Sequence, residues 1–294
     1  MLAPQRRAAI VDEVRRRGGV RVSELASSFG VSDMTIRRDV DVLVAHGLIA
    51  RVHGGVLAVE TATDEPAYSV KATRQEAEKA AIARAAAELV APGSAVGISA
   101  GTTTAALARQ LTAVPGLTVV TNSVAVSDVF HRDGRPDRTV LLTGGVRTPS
   151  DALVGPAATA VVSRLNVDLL FLGVHGMSVR AGYTTPNLAE AETNRALAAM
   201  ARTVVVLADH TKWDLVGIAT IMPLDGANVV VTDTGLTDDA RTELRSRVDE
   251  VVLAAPGNAA GNAAANAAAS AAGNAAASAA QNADGPPADP TVRP

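Results

Sequence analysis

The sequence predicts an α/β protein with a small helical head, a larger domain of alternating strands and helices, and a disordered tail. Three patterns carry that reading. Short helical segments closed by an apolar hairpin fill residues 1–57. From residue 74, runs of four to seven apolar residues alternate with helical patterns up to about residue 254. After Ala255 the chain reads "PGNAAGNAAANAAASAAGNAAASAAQNADGPPADPTVRP", which offers nothing to bury.

In the head, residues 4–17 set Ile10, Val11 and Val14 on one side of a helix that Gly18-Gly19 ends. Ser23 is placed to cap a second short helix with Leu25, Ala26 and Phe29 as its buried side, and Gly30 turns the chain. Ser32 caps a third helix reaching about His46, with Gly47 beyond its end. Ile36, Val40 and Leu43 fall at i, i+4 and i+7 and form its inward stripe. "LIARVHGGVL" then sets two short apolar pieces around Gly54-Gly55, a hairpin. Three helices and a hairpin make a winged helix-turn-helix. Residues 58–73 are polar, acidic and broken by Pro66, and read as a linker.

Strands are expected at "AVGIS", "LTVVT", "TVLLT", "DLLFLGV", "TVVVLA" and "NVVVT". Continuous apolar runs of this length suit strands covered on both faces. Helices are expected near 75–90, 102–111, 123–131, 187–201 and 237–247, so the domain at 74–254 should hold a largely parallel sheet. The residues from 255 to 294 are expected to be disordered.

Composition narrows the chemistry. The 294 residues are 48% hydrophobic but only 2% aromatic, so Ala, Val, Leu and Ile must build the core. There is no cysteine, which removes disulfides, thiolate catalysis and Cys-ligated metals. No signal peptide or membrane-spanning stretch is evident, so a cytoplasmic protein without membrane contact is expected. Residues 1–58 hold nine arginines against six acidic residues, whereas the remainder is net acidic. A basic head on an acidic body points to a polyanion partner for the head alone.

With the apolar stripe of the third helix facing in, Met34, Arg38 and Asp41 face out, flanked by Thr35 and Arg37. The first turn of such a helix, here Ser32 and Thr35, can hold a phosphate, and arginine can bond guanine O6 and N7 in the major groove. Arg51 and His53 at the hairpin suit phosphate or minor-groove contacts. Asp39 is awkward beside DNA and is expected to orient Arg37, Arg38 or a backbone group.

In the body, "ISAGTTTAAL" sets Gly101 after a strand and Thr102, Thr103 and Thr104 at a helix start, where free N–H groups and the positive dipole end favour an anion. Gly101 would give a tight turn and close approach. The G-x-x-x-x-G-K-[ST] spacing is missing, so nucleotide hydrolysis is not expected. Further turns at strand ends supply Thr121-Asn122, Gly144-Gly145, and Asp209 with Lys212. Open α/β sheets bind ligands at that edge.

"RAAI" near the N-terminus, "VSDMTIRRDV" at 31–40 and "GLIARVHGG" at 47–55 resemble the DeoR-type helix-turn-helix signature. "EKAAIA", "GTTT", "VVTNS", "LLTGG", "GYTTPNLAEAETNRAL" and "LADHTKW", in that order, resemble the DeoR-type sensor domain over roughly 75–235. The resemblance implies a Rossmann-like domain similar to ribose 5-phosphate isomerase. It also implies a regulator, usually a repressor of sugar-metabolism genes, that binds an operator in double-stranded DNA and answers to a phosphorylated sugar. It further implies that Lys71, Lys79, Asp209 and Lys212 belong to the responding region. Ser99-Ala100 stand where the family commonly has Asp-Ser before its Gly-Thr-Thr, which makes Ser99 the first place to look for the choice of sugar.

An isomerase would need a carboxylate near the sugar carbons, and Asp209, Glu190 and Glu192 are the candidates. Turnover would destroy the signal that a DNA-reading head needs, so no catalytic residue, metal or cofactor is expected. A ligand-free architectural DNA-binding protein is the other alternative. The bodies are expected to assemble as a homodimer or homotetramer that spaces the heads.

Overall fold

The computed structural model describes residues 1–52, 54–58 and 62–257. The chain divides into two compact units, Met1–Pro256 and Gly257–Pro294. The expected tail lies outside the described residues from position 258 onward.

The head consists of α1 (Ala3–Arg17), β1 (Gly19–Arg21), α2 (Val22–Phe29), α3 (Asp33–Ala45), β2 (Ile49–Val52) and β3 (Gly55–Ala58). Its core is its own: Ile10, Val14, Leu25, Ile36, Val40, Leu43, Ile49 and Val56 are all buried together. The expected hairpin is present and gains a third strand, because β1 pairs antiparallel with β3 in the order β1-β3-β2. Ser23 does not cap α2. The helix begins two residues earlier than that cap implies, at Val22, whose side chain the core takes, and Arg21 holds the cap position without a side-chain bond. Gly18 ends α1 at φ 76°, a left-handed conformation that glycine accepts without strain.

The stretch expected to be a plain linker contains α4 (Tyr68–Ala72) and is bonded to the body: Ile218 N–H donates to the Ala62 carbonyl at 2.7 Å. The body follows as α5 (Glu76–Ala87), β4 (Ala95–Ile98), α6 (Thr102–Leu111), β5 (Thr118–Thr121), α7 (Val124–Asp133), β6 (Thr139–Leu142), β7 (Val146–Arg147), β8 (Leu153–Val154) and α8 (Pro156–Val162). It continues with β9 (Val167–Gly173), β10 (Gly176–Ser178), β11 (Gly182–Thr185), α9 (Leu188–Ala199), β12 (Ala201–Leu207), β13 (Ala219–Met222), β14 (Val229–Asp233), α10 (Asp238–Arg245) and β15 (Glu250–Ala254).

Seven of these strands form one sheet in the order β15-β14-β12-β9-β4-β5-β6, every pairing parallel. Successive side chains point to opposite faces. Phe171 and Val205 accordingly join the core under α5, α6 and α7. Leu170, Leu172, Val204 and Val206 join the core under α8, α9 and α10. The body is thus a Rossmann-like layer with apolar strands covered on both sides. The six expected strands are all there. The seventh, β15, was not anticipated, nor were α8, the hairpin β7–β8 and the small antiparallel sheet β10-β11-β13.

The chain lays down β4, β5 and β6 toward one edge, then returns to place β9 on the other side of β4. The loops leaving β4 and β9 therefore diverge, and a crevice opens at that switch point. Among the described residues, no helix is long and apolar enough to cross a membrane.

Candidate functional site

The outer surface of α3 takes its shape from the burial of Ile36, Val40 and Leu43. Ser32 caps the helix, its Oγ accepting the Thr35 N–H at 3.3 Å and lying 3.0 Å from the Thr35 hydroxyl. Met34 is 61% exposed, and Arg37 and Arg38 are exposed beside it. Among the described residues neither arginine forms an ion pair, so both guanidiniums are available to an anion. Asp39 does not orient them. It is buried and accepts Arg6 Nε at 2.6 Å and Arg7 Nε at 2.8 Å, because the turn of α3 points it at α1. Arg51 of the wing is paired with Asp41 of α3. His53 lies outside the described residues. His46 closes the helix, its Nδ1 donating to the Val42 carbonyl at 2.7 Å.

At the switch point lies a cavity of about 790 Å³. The C-terminal ends of β4, β9 and β12 form its floor, through Ala100-Gly101, Gly173–His175 and Leu207–Asp209. Thr102 and Thr103 enter it from the first turn of α6, and Lys212 from the loop after β12. Thr103 is 8% exposed, and its hydroxyl has no hydrogen-bond partner among the described residues. The N-cap of α6 makes no side-chain bond, so the first N–H groups of the helix stay free. Lys212 likewise forms no ion pair among the described residues. A helix start, a hydroxyl without a protein partner and an ammonium without an ion pair line one cavity, an arrangement that can hold an anion.

Other expected members are elsewhere or otherwise engaged. Thr121 and Asn122 do not line the cavity, because β5 lies on the far side of β4. Thr121 Oγ1 donates to the Ile98 carbonyl at 2.6 Å, and Asn122 links Ala100 N–H to the Leu153 carbonyl. Gly144 and Gly145 follow β6, farther still. Gly145 serves packing: at φ 121°, a Cβ there would lie 2.5 Å from the Val154 carbonyl. Thr104 turns its hydroxyl back to the Gly101 carbonyl at 3.0 Å. Gly101 makes no tight turn, since its φ of 161° is extended; what it supplies is space beside Thr104 Oγ1. Ser99 is fully buried and accepts the Gly173 N–H at 2.9 Å, tying β4 to β9, and it does not reach the cavity.

Asp209 lines the cavity, and one of its carboxylate oxygens caps the loop, accepting the Thr211 N–H at 3.1 Å and the Thr211 hydroxyl. Lys79 is buried, and its ammonium donates to the Lys71 carbonyl and to the Arg74 carbonyl at 2.6 Å. Burial pushes its pKa down to about 8. Asp209 opposes that shift, and Lys212, Arg74 and Lys71 add to it. Lys79 therefore fastens the α4–α5 turn at the cavity wall.

Several wall residues were not anticipated. Arg17, Gly18, Gly19 and Leu57 come from the head, which forms one side of the cavity. Glu65, Ser150, Thr185 and Asn194 also line it, beside Glu190, which the sequence offers only as a carboxylate that an isomerase could use. Glu190 accepts Thr148 Oγ1 at 2.7 Å, Thr185 Oγ1 at 3.2 Å and the Ser150 hydroxyl. Burial raises its pKa. Glu65 meets burial too, but hydrogen bonds from Asn187, Ser150 and Glu190 outweigh it and lower its pKa. Among the described residues no cluster of three His, Asp or Glu could hold a metal ion.

Residues 6–62 match the DeoR-like helix-turn-helix domain and residues 74–234 the DeoR C-terminal sensor domain. The chain is similar to the HTH-type transcriptional regulator GlpR of Haloferax volcanii, at 37% identity over 84% of this chain and 96% of that one. It is also similar to the glycerol-3-phosphate regulon repressor of Escherichia coli, at 32% identity over 79% of this chain and 92% of that one. Ribose 5-phosphate isomerase A of Neisseria gonorrhoeae aligns with a TM-score of 0.37 and 16% identity, over 51% of this chain and 57% of that one.

Proposed function

The chain belongs to the DeoR family of transcriptional regulators, and from that premise we propose that it represses carbohydrate-metabolism genes until a phosphorylated sugar releases it from its operator. The observation that carries this reading is the shared wall of the cavity. Thr102, Thr103 and Lys212 face it from the sensor domain, and Arg17, Gly18 and Gly19 face it from the head. A ligand bound there touches both parts, so its affinity depends on how the head is held. By linkage, ligand binding then changes the affinity for DNA by the same factor.

In this reading Ser32, Met34, Thr35, Arg37 and Arg38 enter the major groove and Arg51 steadies the wing. The bodies assemble as a homodimer or homotetramer, and a symmetric assembly matches two half-sites. The protein does not turn its ligand over. Turnover would destroy the signal that the DNA-reading head needs.

The test is to sequence the genomic fragments that the full-length protein retains, with and without pentose and hexose phosphates. Retention of discrete sites that a sugar phosphate abolishes is the expected result. Sustained conversion of a sugar phosphate would favour an isomerase. Retention indifferent to every sugar phosphate would favour an architectural protein.

A further inference from the structure

The cavity has further polar lining besides Thr102, Thr103 and Lys212, and one residue of it bonds no other group among the described residues. Asn194 is 8% exposed and lines the cavity. Among the described residues its carboxamide makes no hydrogen bond. Neither its oxygen nor its nitrogen is among the buried polar atoms left without a partner, so the carboxamide opens on the solvent of the cavity, where a ligand can bond it. Glu190 stands one turn earlier on α9, so the two side chains share the same helical face.

Glu190 itself is fixed by three hydroxyl groups, from Thr148, Ser150 and Thr185. It therefore presents a positioned carboxyl beside a free carboxamide. Asn194 offers two N–H donors and a carbonyl acceptor, while Glu190 offers carboxyl oxygens. A hydroxyl group both donates and accepts, so a pair of hydroxyls on neighbouring carbons suits this end of the cavity. An unadorned alkyl chain does not, since it would strip the Asn194 amide of water and offer no hydrogen bond in return.

We propose that Asn194 is a specificity-determining residue that binds the hydroxyl-bearing end of the ligand, with Glu190 beside it, while Thr102, Thr103 and Lys212 hold the phosphate. This rests on the sugar-phosphate reading above and assigns its hydroxyl recognition. It moves the choice of sugar away from Ser99, which the Gly173 N–H occupies, to the wall built by α9 and the 148–150 loop.

The experiment titrates full-length protein calorimetrically with inorganic phosphate, n-propyl phosphate, glycerol 3-phosphate, ribose 5-phosphate and fructose 6-phosphate. It is repeated with N194L, which keeps the branched shape without the polar atoms, and with N194S. The wild type is expected to prefer at least one hydroxylated phosphate over n-propyl phosphate. Both variants should weaken that hydroxylated ligand about 10-fold and leave inorganic and n-propyl phosphate unchanged. N194S should melt close to the wild type without ligand, because the Asn194 carboxamide bonds no other group among the described residues. A preference for hydroxylated phosphates that survives in whichever variants fold overturns the assignment while leaving the sugar-phosphate reading intact. Wild-type protein that binds none of the five overturns the sugar-phosphate reading, and this assignment with it.

Discussion

Arg6 Nε on α1 lies 2.6 Å from Asp39 Oδ2 on the recognition helix, and both side chains are largely withdrawn from water. Arg7 holds the other carboxylate oxygen. The acidic residue in "IRRDV" is thus an internal tie between α1 and α3. D39A would strand two guanidiniums against the head's core. The expected loss is about 3 kcal/mol of head stability, near the lower figure for breaking a buried pair because Arg7 is partly exposed. Urea unfolding followed by circular dichroism measures it, and an unchanged midpoint would refute the tie.

R37A and R38A should behave oppositely. Both side chains are exposed and unpaired, so melting should not move. Operator affinity should fall about 10- to 100-fold for each, the worth of a good base or phosphate contact. Fluorescence anisotropy with a labelled operator reads the loss. Release by ligand should remain in whatever binding is left.

T103V and K212A should spare operator binding and weaken the ligand. The Thr103 hydroxyl has no partner in the described structure, so T103V should cost the unliganded protein little. Losing one hydrogen bond to a charged group corresponds to about 1.5–3 kcal/mol of ligand affinity. Calorimetry with the strongest-binding sugar phosphate checks the value. Loss of DNA binding in T103V without unfolding would sink the division into two modules.

Gly18 sits where the head meets the cavity. A Cβ there would run into the Arg74 guanidinium, and its φ of 76° disfavours other residues. G18A should destabilise the protein by about 1–2 kcal/mol from backbone strain alone. Combining G18A with R74A should cost less than the two changes separately, since the clash is shared. Thermal melts of the four proteins decide it. Operator release should need more ligand in G18A than in the wild type.

Lys79 gives a pH signature. Its folded pKa is about 8, against 10.5 for an ordinary lysine. Between those values the unfolded chain binds more protons, so stability rises with pH through this window. Below about pH 8 both states are protonated and the burial penalty is fully present. Melting temperatures from pH 7 to 10 should show this upward contribution in the wild type relative to K79M. Equal pH profiles for the two proteins would contradict the burial of a charged ammonium.

Periodicity was enough to read the helices and strands whose buried faces are continuous. Ile36, Val40 and Leu43 announced α3, and "DLLFLGV" announced β9. It missed elements defined by distant partners. β1 is three residues long and exists because β3 pairs with it. β15 has an apolar run as long as those of the expected strands, but it borders the Ala-rich tail, and its pairing with β14 is what distinguishes it. The site was half legible for the same reason. Thr103 and Thr121 are both threonines near strand ends, and only strand order reveals that β9, not β5, shares the cavity with β4. Asn194 left one faint signal, its place a turn after Glu190.

The register of the central sheet also sets a timetable. Val96 of β4 pairs with Leu169 of β9, so the middle of the sensor sheet cannot close until the ribosome has delivered both. The head encloses Ile10 through Val56 in a core of its own, and N-terminal units complete first during synthesis. Each new molecule therefore has a finished DNA-reading unit before it has a pocket. A truncated chain ending in the connector would be deaf: able to hold DNA, with no means of being told to let go.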